Sequence, residues 1–354
     1  MSTFAFGTYR VSDENLLHIE AMKEAIEAGV RLIETSSHYT DGGAQRAIAR
    51  VMALFEDDIR DEIEIVNSSV YIQNDTQNIS EYIEEEIKKS LKNLQLNSIE
   101  TFLIECDDEF ISDAFTALEK EIQKENIKSY GICNKKSFDI ANYMQEAQKA
   151  AKGVGNKKHG FTTVELAINL LEREGLQYAA LAKKSGLRVL SCRALDAQKD
   201  GLMYRLAEYD EPKDYYHTLN ELLDICDNEQ LKPLYNLIEQ MDSNKHKFGF
   251  IGEYDSFLLA QILPHIKKTI EKIPQEVLDV LLEYIERFLR AYRDMVAYET
   301  AKTTKVSLKE YFQGCDAKMQ ECALGFLLEI DDIESIIVGM RKPSYVQEIM
   351  ALRS

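Results

Sequence analysis

Apolar runs of strand length recur along the chain, with helical segments between them. "FAFGTY" (4–9) precedes "ENLLHIEAMKEAIEAG", where Leu16, Ile19, Met22, Ala25 and Ile26 repeat at helical spacing and Gly29 supplies a left-handed stop. "VRLIETS" (30–36) precedes "GGAQRAIARVMALF", and "IEIVNSSV" (63–70) precedes "ISEYIEEEIKKSLKNLQ". "ETFLIEC" (100–106), "SYGIC" (129–133) and "TTVELAIN" (162–169) each lead into a further amphipathic segment. "RVLSCRAL" (188–195) opens a long excursion, and "SIIVGM" (335–340) with the helix "SYVQEIMAL" closes the pattern. Strands this continuous in apolar residues are parallel strands covered on the outside. Eight βα units predict an α/β fold, a (β/α)₈ TIM barrel, rather than an open sheet. The first βα turn lacks GxGxxG, which argues against a Rossmann domain.

The excursion sets the domain organisation. Residues 1–195 and 307–354 are predicted to form the barrel, and 196–306 a helical insert after strand 7. The insert reads as amphipathic helices: "YYHTLNELLDICD", "EQLKPLYNLIEQM", "SFLLAQILPHIKKTIEKI" and "QEVLDVLLEYIERFLRAYRDMVAYETA". A connection of that length is a subdomain. It leaves the C-terminal end of a strand, so it is expected at the barrel mouth. There it serves as a lid or specificity element, offers a surface to a protein partner, or only enlarges the core.

Composition narrows the function classes. The chain has 354 residues, 45% of them hydrophobic, as in an ordinary globular protein. No run approaches the ~20 apolar residues of a membrane span, and "MSTFAFGTYR" has no signal-peptide pattern, so the cytoplasm is the expected location. Lys and Arg number 42 against 61 Asp and Glu, a formal charge of −19. That charge repels a nucleic-acid duplex or an anionic membrane, so neither is an expected partner. Six cysteines show no CxxC and no zinc spacing; they read as reduced thiols, and no metal site is expected.

"LIETSSHYTDGG" (32–43) carries the first candidate chemistry: a buried strand ends on a carboxylate, Glu34, just before Tyr39. Together with "FGTYR", "IKSYGICN", "VELAINLLEREG" and "IIVGMRKPSYVQEI", in this order, it resembles the aldo-keto reductases over residues 4–195 and 318–353. The resemblance implies carbonyl reduction with NAD(P)H, in which a tyrosine protonates the alkoxide. A free phenol, with a pKa near ~10, needs a neighbouring lysine to do so at neutral pH. Block by block, Tyr39 takes the tyrosine's place and Glu34 that of its aspartate partner. The lysine's place, at the end of strand 3, holds Ser68 and Ser69. The histidine's place holds Glu105, a replacement the family has in enzymes that reduce C=C bonds. For the cofactor, the resemblance assigns Asn134 to the carboxamide, Glu165 to the usual glutamine position, and Arg193 to the position following Cys192. It places Gly339, Arg341 and Lys342 at the phosphate end, suited to NADP(H).

Glu34, Glu105 and Glu165 then face one pocket without the lysine. Like charges at close range raise one another's pKa and that of Tyr39. Three resolutions are open: Arg193 pairs with one of them, one or two are protonated and act as acids, or the site holds a cation, such as an amine substrate or a metal. Three functions stay open with them. One is a divergent NAD(P)H-dependent oxidoreductase acting on a small carbonyl or unsaturated substrate. The second is a catalytically degenerate barrel that binds a ligand or a protein partner. The third is a non-redox enzyme that works through the carboxylates, on a cationic substrate. His38 reads as a polar turn residue, and His18, His217, His246 and His265 as core or surface residues.

Overall fold

The computed structural model describes residues 3–72, 76, 78–135, 137–271 and 273–353. The chain divides into two compact units, Met1–Ala194 with Ala323–Ser354, and Leu195–Cys322. In chain order the first unit opens with β1 (Thr3–Gly7), α1 (Leu16–Glu27), β2 (Leu32–Ser36), α2 (Gly43–Met52), α3 (Asp57–Glu62), β3 (Glu64–Ile72) and α4 (Ile79–Leu94). It continues through β4 (Ile99–Cys106), α5 (Ile111–Gln123), β5 (Ile127–Ile132), α6 (Ile140–Val154), β6 (Phe161–Ala167), α7 (Gly175–Lys184) and β7 (Arg188–Cys192). The second unit carries β8 (Asp196–Lys199), β9 (Leu202–Arg205), α8 (Tyr215–Cys226), α9 (Lys232–Asn244), α10 (Ile251–Phe257), α11 (Leu263–Ile270) and α12 (Gln275–Ser307). Then follow α13 (Met319–Leu328), β10 (Ser335–Val338) and α14 (Pro343–Met350).

Eight parallel strands close into a barrel in the order β1-β10-β7-β6-β5-β4-β3-β2. Ala5, Leu32, Val66, Leu103, Cys133, Leu190 and Ile337 form one buried cluster, drawn from seven of the strands or their ends. Side chains alternate along a strand, so positions two residues on face the same interior. Glu34 follows Leu32, Ser68 follows Val66, Glu105 follows Leu103 and Cys192 follows Leu190. Glu165 lies level with Leu190 across the β6–β7 ladder. The polar residues therefore gather toward the C-terminal ends of the strands, where barrel enzymes work. Toward the other end, Arg188 joins two strands at once: its Nη2 donates to Glu64 and its Nε to Glu334, both at 2.7 Å.

Two packing devices hold the frame around β3 and β5. A chain of amides runs from α4 through α2 to β3: Asn93 donates to Gln45 at 2.9 Å, and Gln45 to Asn67 at 2.6 Å. Gln45 and Asn67 are buried, and the amides satisfy each other where water is excluded. Gly131 in β5 lies so close to β6 that a Cβ would stand 2.2 Å from the Thr163 carbonyl oxygen.

Some elements depart from the sequence pattern. The segment Asp57–Glu62 is a short helix with no buried residue, so it carries no periodicity to read. The start of the second unit is a hairpin, not a helix: β8 and β9 pair antiparallel. Asp200 and Gly201 take φ of 52° and 79° between them, the left-handed pair that a tight hairpin turn needs. The stretch 256–273, read as one helix, is interrupted by a π turn at Leu258–Ile262. Pro264 explains it, because proline offers no N–H to the preceding turn. The second unit has its own core, in which Tyr215, Leu219, Leu222, Leu234, Ile238 and Phe288 are buried. The reading of all six cysteines as thiols is corrected here. Cys315 and Cys322 are joined by a disulfide, with Cα atoms 6.1 Å apart, while Cys106, Cys133, Cys192 and Cys226 are free. The turn at Gly314, with φ 85°, and the first turn of α13 bring the two sulfurs together, which a spacing of seven residues does not announce. Among the described residues, no helix is long and apolar enough to cross a membrane.

Candidate active site

Tyr39 is held by a strained loop. Thr40, Asp41 and Gly42 have φ of 51°, 52° and 77°, three left-handed residues in succession. For the two that are not glycine this costs about 1–2 kcal/mol each, and a β-branched threonine there is uncommon. Four hydrogen bonds brace the loop and its neighbour Asp13. Thr40 Oγ1 donates to the Val11 carbonyl at 2.6 Å. Arg46 joins Asp13 at 2.8 Å and the Asp41 carbonyl at 3.1 Å. Arg50 donates to the Asp13 carbonyl. On the strand side, Ser37 and His38 both bond Glu86 of α4, at 2.7 and 3.1 Å. His38 is thus a turn anchor. The Tyr39 ring stands edge-on to Tyr9, with centroids 5.2 Å apart.

The Tyr39 hydroxyl donates to Glu34 Oε1 at 2.9 Å, and Ser68 Oγ lies 3.5 Å from the same oxygen. Glu34 and Glu165 are buried, at 5% and 8% exposure. Burial first, and the Glu165 charge second, raise the Glu34 carboxyl above the ordinary carboxylate range. Glu165 is raised by burial and then by Glu105, against the Cys192 thiol that donates to it. Its Oε2 is buried with no hydrogen-bond partner. Half-buried Glu105 is raised by burial and held back by the Asn134 amide. Tyr39 is pushed up by burial first, then by Glu34 and Glu165. Burial likewise keeps Cys133 and Cys192 as thiols. The carboxyls therefore act on one another in a row, Glu105 on Glu165 and Glu165 on Glu34, with the phenol bonded to Glu34.

Arg193 forms an ion pair with a further acid, Glu172. Its backbone is left-handed, with φ 57°, and its Nη2 pairs with Glu172 Oε2 at 2.8 Å. Asn169 locks that pair by donating to Glu172 at 2.8 Å and to the Arg193 carbonyl at 3.2 Å. Asn134 also lies in the left-handed region, with φ 56°, where asparagine is tolerated. Beyond β10, Gly339 is exposed, with open space where a Cβ would stand. Arg341 is near enough to His18 to add to the burial that lowers its pKa. Lys342 lies 5.5 Å from the Tyr345 ring, at the start of α14, whose N-cap makes no side-chain bond. Arg341, Lys342 and this helix start make a cationic stretch suited to an anion.

The profile of the Aldo/keto reductase family matches residues 3–354. The chain belongs to the aldo/keto reductase family. Among solved structures, an aldo-keto reductase from Bacillus halodurans in its holo form is 15% identical, with 99% of this chain and 86% of that chain covered, at a TM-score of 0.55. The glycerol dehydrogenase from Gluconobacter oxydans is 17% identical over the same shares, at 0.53. An aldo/keto reductase from Klebsiella pneumoniae in complex with NADP and acetate is 21% identical at a TM-score of 0.44. There 55% of this chain and 64% of that chain are covered, so the match spans less than two-thirds of that relative. No curated protein matches the sequence at a significant level.

Within this aldo/keto reductase Glu34, Tyr39, Glu105, Asn134 and Glu165 are linked by hydrogen bonds and by charge, whereas Arg193 pairs with Glu172, Arg341 lies near His18, Lys342 near the Tyr345 ring, and Gly339 is exposed. Sequence reasoning missed the Asn169–Glu172 lock on Arg193; only the polar turn "INLLEREG" hinted at it. It also missed Lys135, which follows Asn134. That ammonium group is tied to Asp108 and donates to the Cys106 carbonyl at 3.0 Å, with the Tyr143 ring 5.5 Å away.

Proposed function

We propose that this protein is an NADP(H)-dependent oxidoreductase that reduces a small carbonyl or unsaturated substrate, with a glutamic acid rather than Tyr39 as the proton donor. The observation that carries this reading is the Tyr39–Glu34 bond at 2.9 Å inside a cluster of acids. The phenol there is already a donor to a carboxyl group and is pushed away from acidity. Burial raises Glu34 and Glu165, with Glu165 adding to Glu34 and Glu105 adding to Glu165, so the cluster can share a proton to give to a substrate while keeping negative charge. Glu105 stands at the position the family's histidine takes, and it too is raised.

The residues fit the cofactor at both ends. Arg341 and Lys342 suit a 2′-phosphate, and the uncapped start of α14 suits a phosphate oxygen. Asn134, whose amide bonds Glu105, would take the carboxamide. When bound, NADPH supplies a hydride. The chain's own part is to hold the substrate against the carboxyl cluster and deliver the proton. A cytoplasmic setting goes with this reading.

Titration with NADPH and NADH, followed by nicotinamide fluorescence, tests it. Saturable NADPH binding is expected. Arg341→Ala should weaken NADPH about tenfold, roughly 1.4 kcal/mol, and NADH much less. No binding at millimolar cofactor removes this reading. It would leave the second one, a barrel that binds a ligand without redox chemistry, which is favoured by Ser68 standing where the family's lysine would be.

A further inference from the structure

The acids at the barrel mouth are bonded to neutral groups. Glu34 receives the Tyr39 hydroxyl, with Ser68 beside it; Glu165 receives the Cys192 thiol; and Glu105 receives the Asn134 amide. Arg193, the nearby cation in sequence, is turned to Glu172. Glu165 is 8% exposed, and its Oε2 has no hydrogen-bond partner. A buried acceptor left unpaired is costly, and three acids brought together are costly as well. A neutral amide N–H would satisfy the oxygen but leave the charge unanswered. A ligand with a positively charged N–H group answers both.

We propose that the barrel mouth takes a substrate carrying a protonated nitrogen, an ammonium or iminium group, which donates to Glu165 Oε2 with Glu34 and Glu105 around it. This deepens the reading of the same pocket given above and rests on it for the reaction, but the cation's binding needs no cofactor. It gives the missing lysine a physical sense. An ammonium group of the protein at that place would repel a cationic substrate, whereas a serine leaves the field of the acids to the ligand.

Calorimetry on the full chain without cofactor tests it, with pyrrolidinium chloride and its neutral analogue cyclopentanol as probes at constant ionic strength. Pyrrolidinium is expected to bind at least tenfold more tightly than cyclopentanol and to raise the Tm. Glu165→Gln should abolish the preference. Glu105→Gln, at a half-buried position that tolerates change, should reduce it severalfold. Equal affinity for the two rings, or a preference untouched by both variants, overturns the proposal. A parallel NADPH titration separates the two ideas. NADPH binding without the pyrrolidinium preference sinks the cation site and spares the oxidoreductase. The preference without NADPH binding does the reverse.

Discussion

Glu34 and Glu165 bind a proton more tightly in the folded chain than in the unfolded one, because burial penalises their charged forms. Their contribution to stability is therefore fully present below the ordinary carboxylate range and is lost as pH rises through their raised values. The urea midpoint should fall between pH 5 and pH 9, and Glu165→Gln should flatten that slope; a midpoint as steep in the variant as in the parent contradicts a buried acid there. At Tyr39 the expectation concerns rate. If a glutamic acid supplies the proton, Tyr39→Phe should lower kcat less than tenfold. Loss of a true general acid commonly costs a factor of about 10² or more, so a drop of that size would return Tyr39 to the acid's role. Glu34→Gln should be the more damaging change, because it removes both a proton and the partner of the phenol.

Strands and turns place these residues, and their tolerances differ. In β5, Gly131 has the Thr163 carbonyl and the Leu103 side chain where a Cβ would sit, 2.2 and 2.6 Å away. The backbone oxygen cannot move without breaking the β5–β6 ladder, so Gly131→Ala should destabilise the barrel by about 3 kcal/mol, at the upper end for overpacking. Chemical denaturation measures this directly, and a loss under 1 kcal/mol would mean that the strands part easily. Much of this level was legible beforehand. Continuous apolar runs located all eight barrel strands, and Gly29 marks a real left-handed position. The hairpin β8–β9 was less so, although its Asp-Gly turn is a strong local signal, because it sits among helical patterns. The π turn before Pro264 depends on how one missing N–H is absorbed, and no periodicity reports that.

For the whole molecule, the Cys315–Cys322 bond gives a simple test. The denatured, unreduced protein should show four reactive thiols, and six after reduction. By the loop-entropy relation, opening so short a loop should cost about 2 kcal/mol, read as a lower midpoint for the second unit. Six thiols without reductant would show that the bond does not form. The division into Met1–Ala194 with Ala323–Ser354, and Leu195–Cys322, carries a related expectation. Each unit has its own buried cluster, so proteolysis should cut first in the exposed turn around Asp210–Lys213 rather than in either core. By itself the sequence determined the barrel and the family, because period, strand length and block order are local properties that survive many substitutions. It also placed three acids on strand ends, since side-chain alternation follows from the chain. Only the tertiary structure decided which neighbours those acids meet. The Arg193 guanidinium turns to Glu172, the phenol gives its hydrogen to Glu34, and one Glu165 oxygen is left without a donor. Each of these is a matter of direction and burial between residues far apart in the chain, and those are the quantities that set charge and acidity.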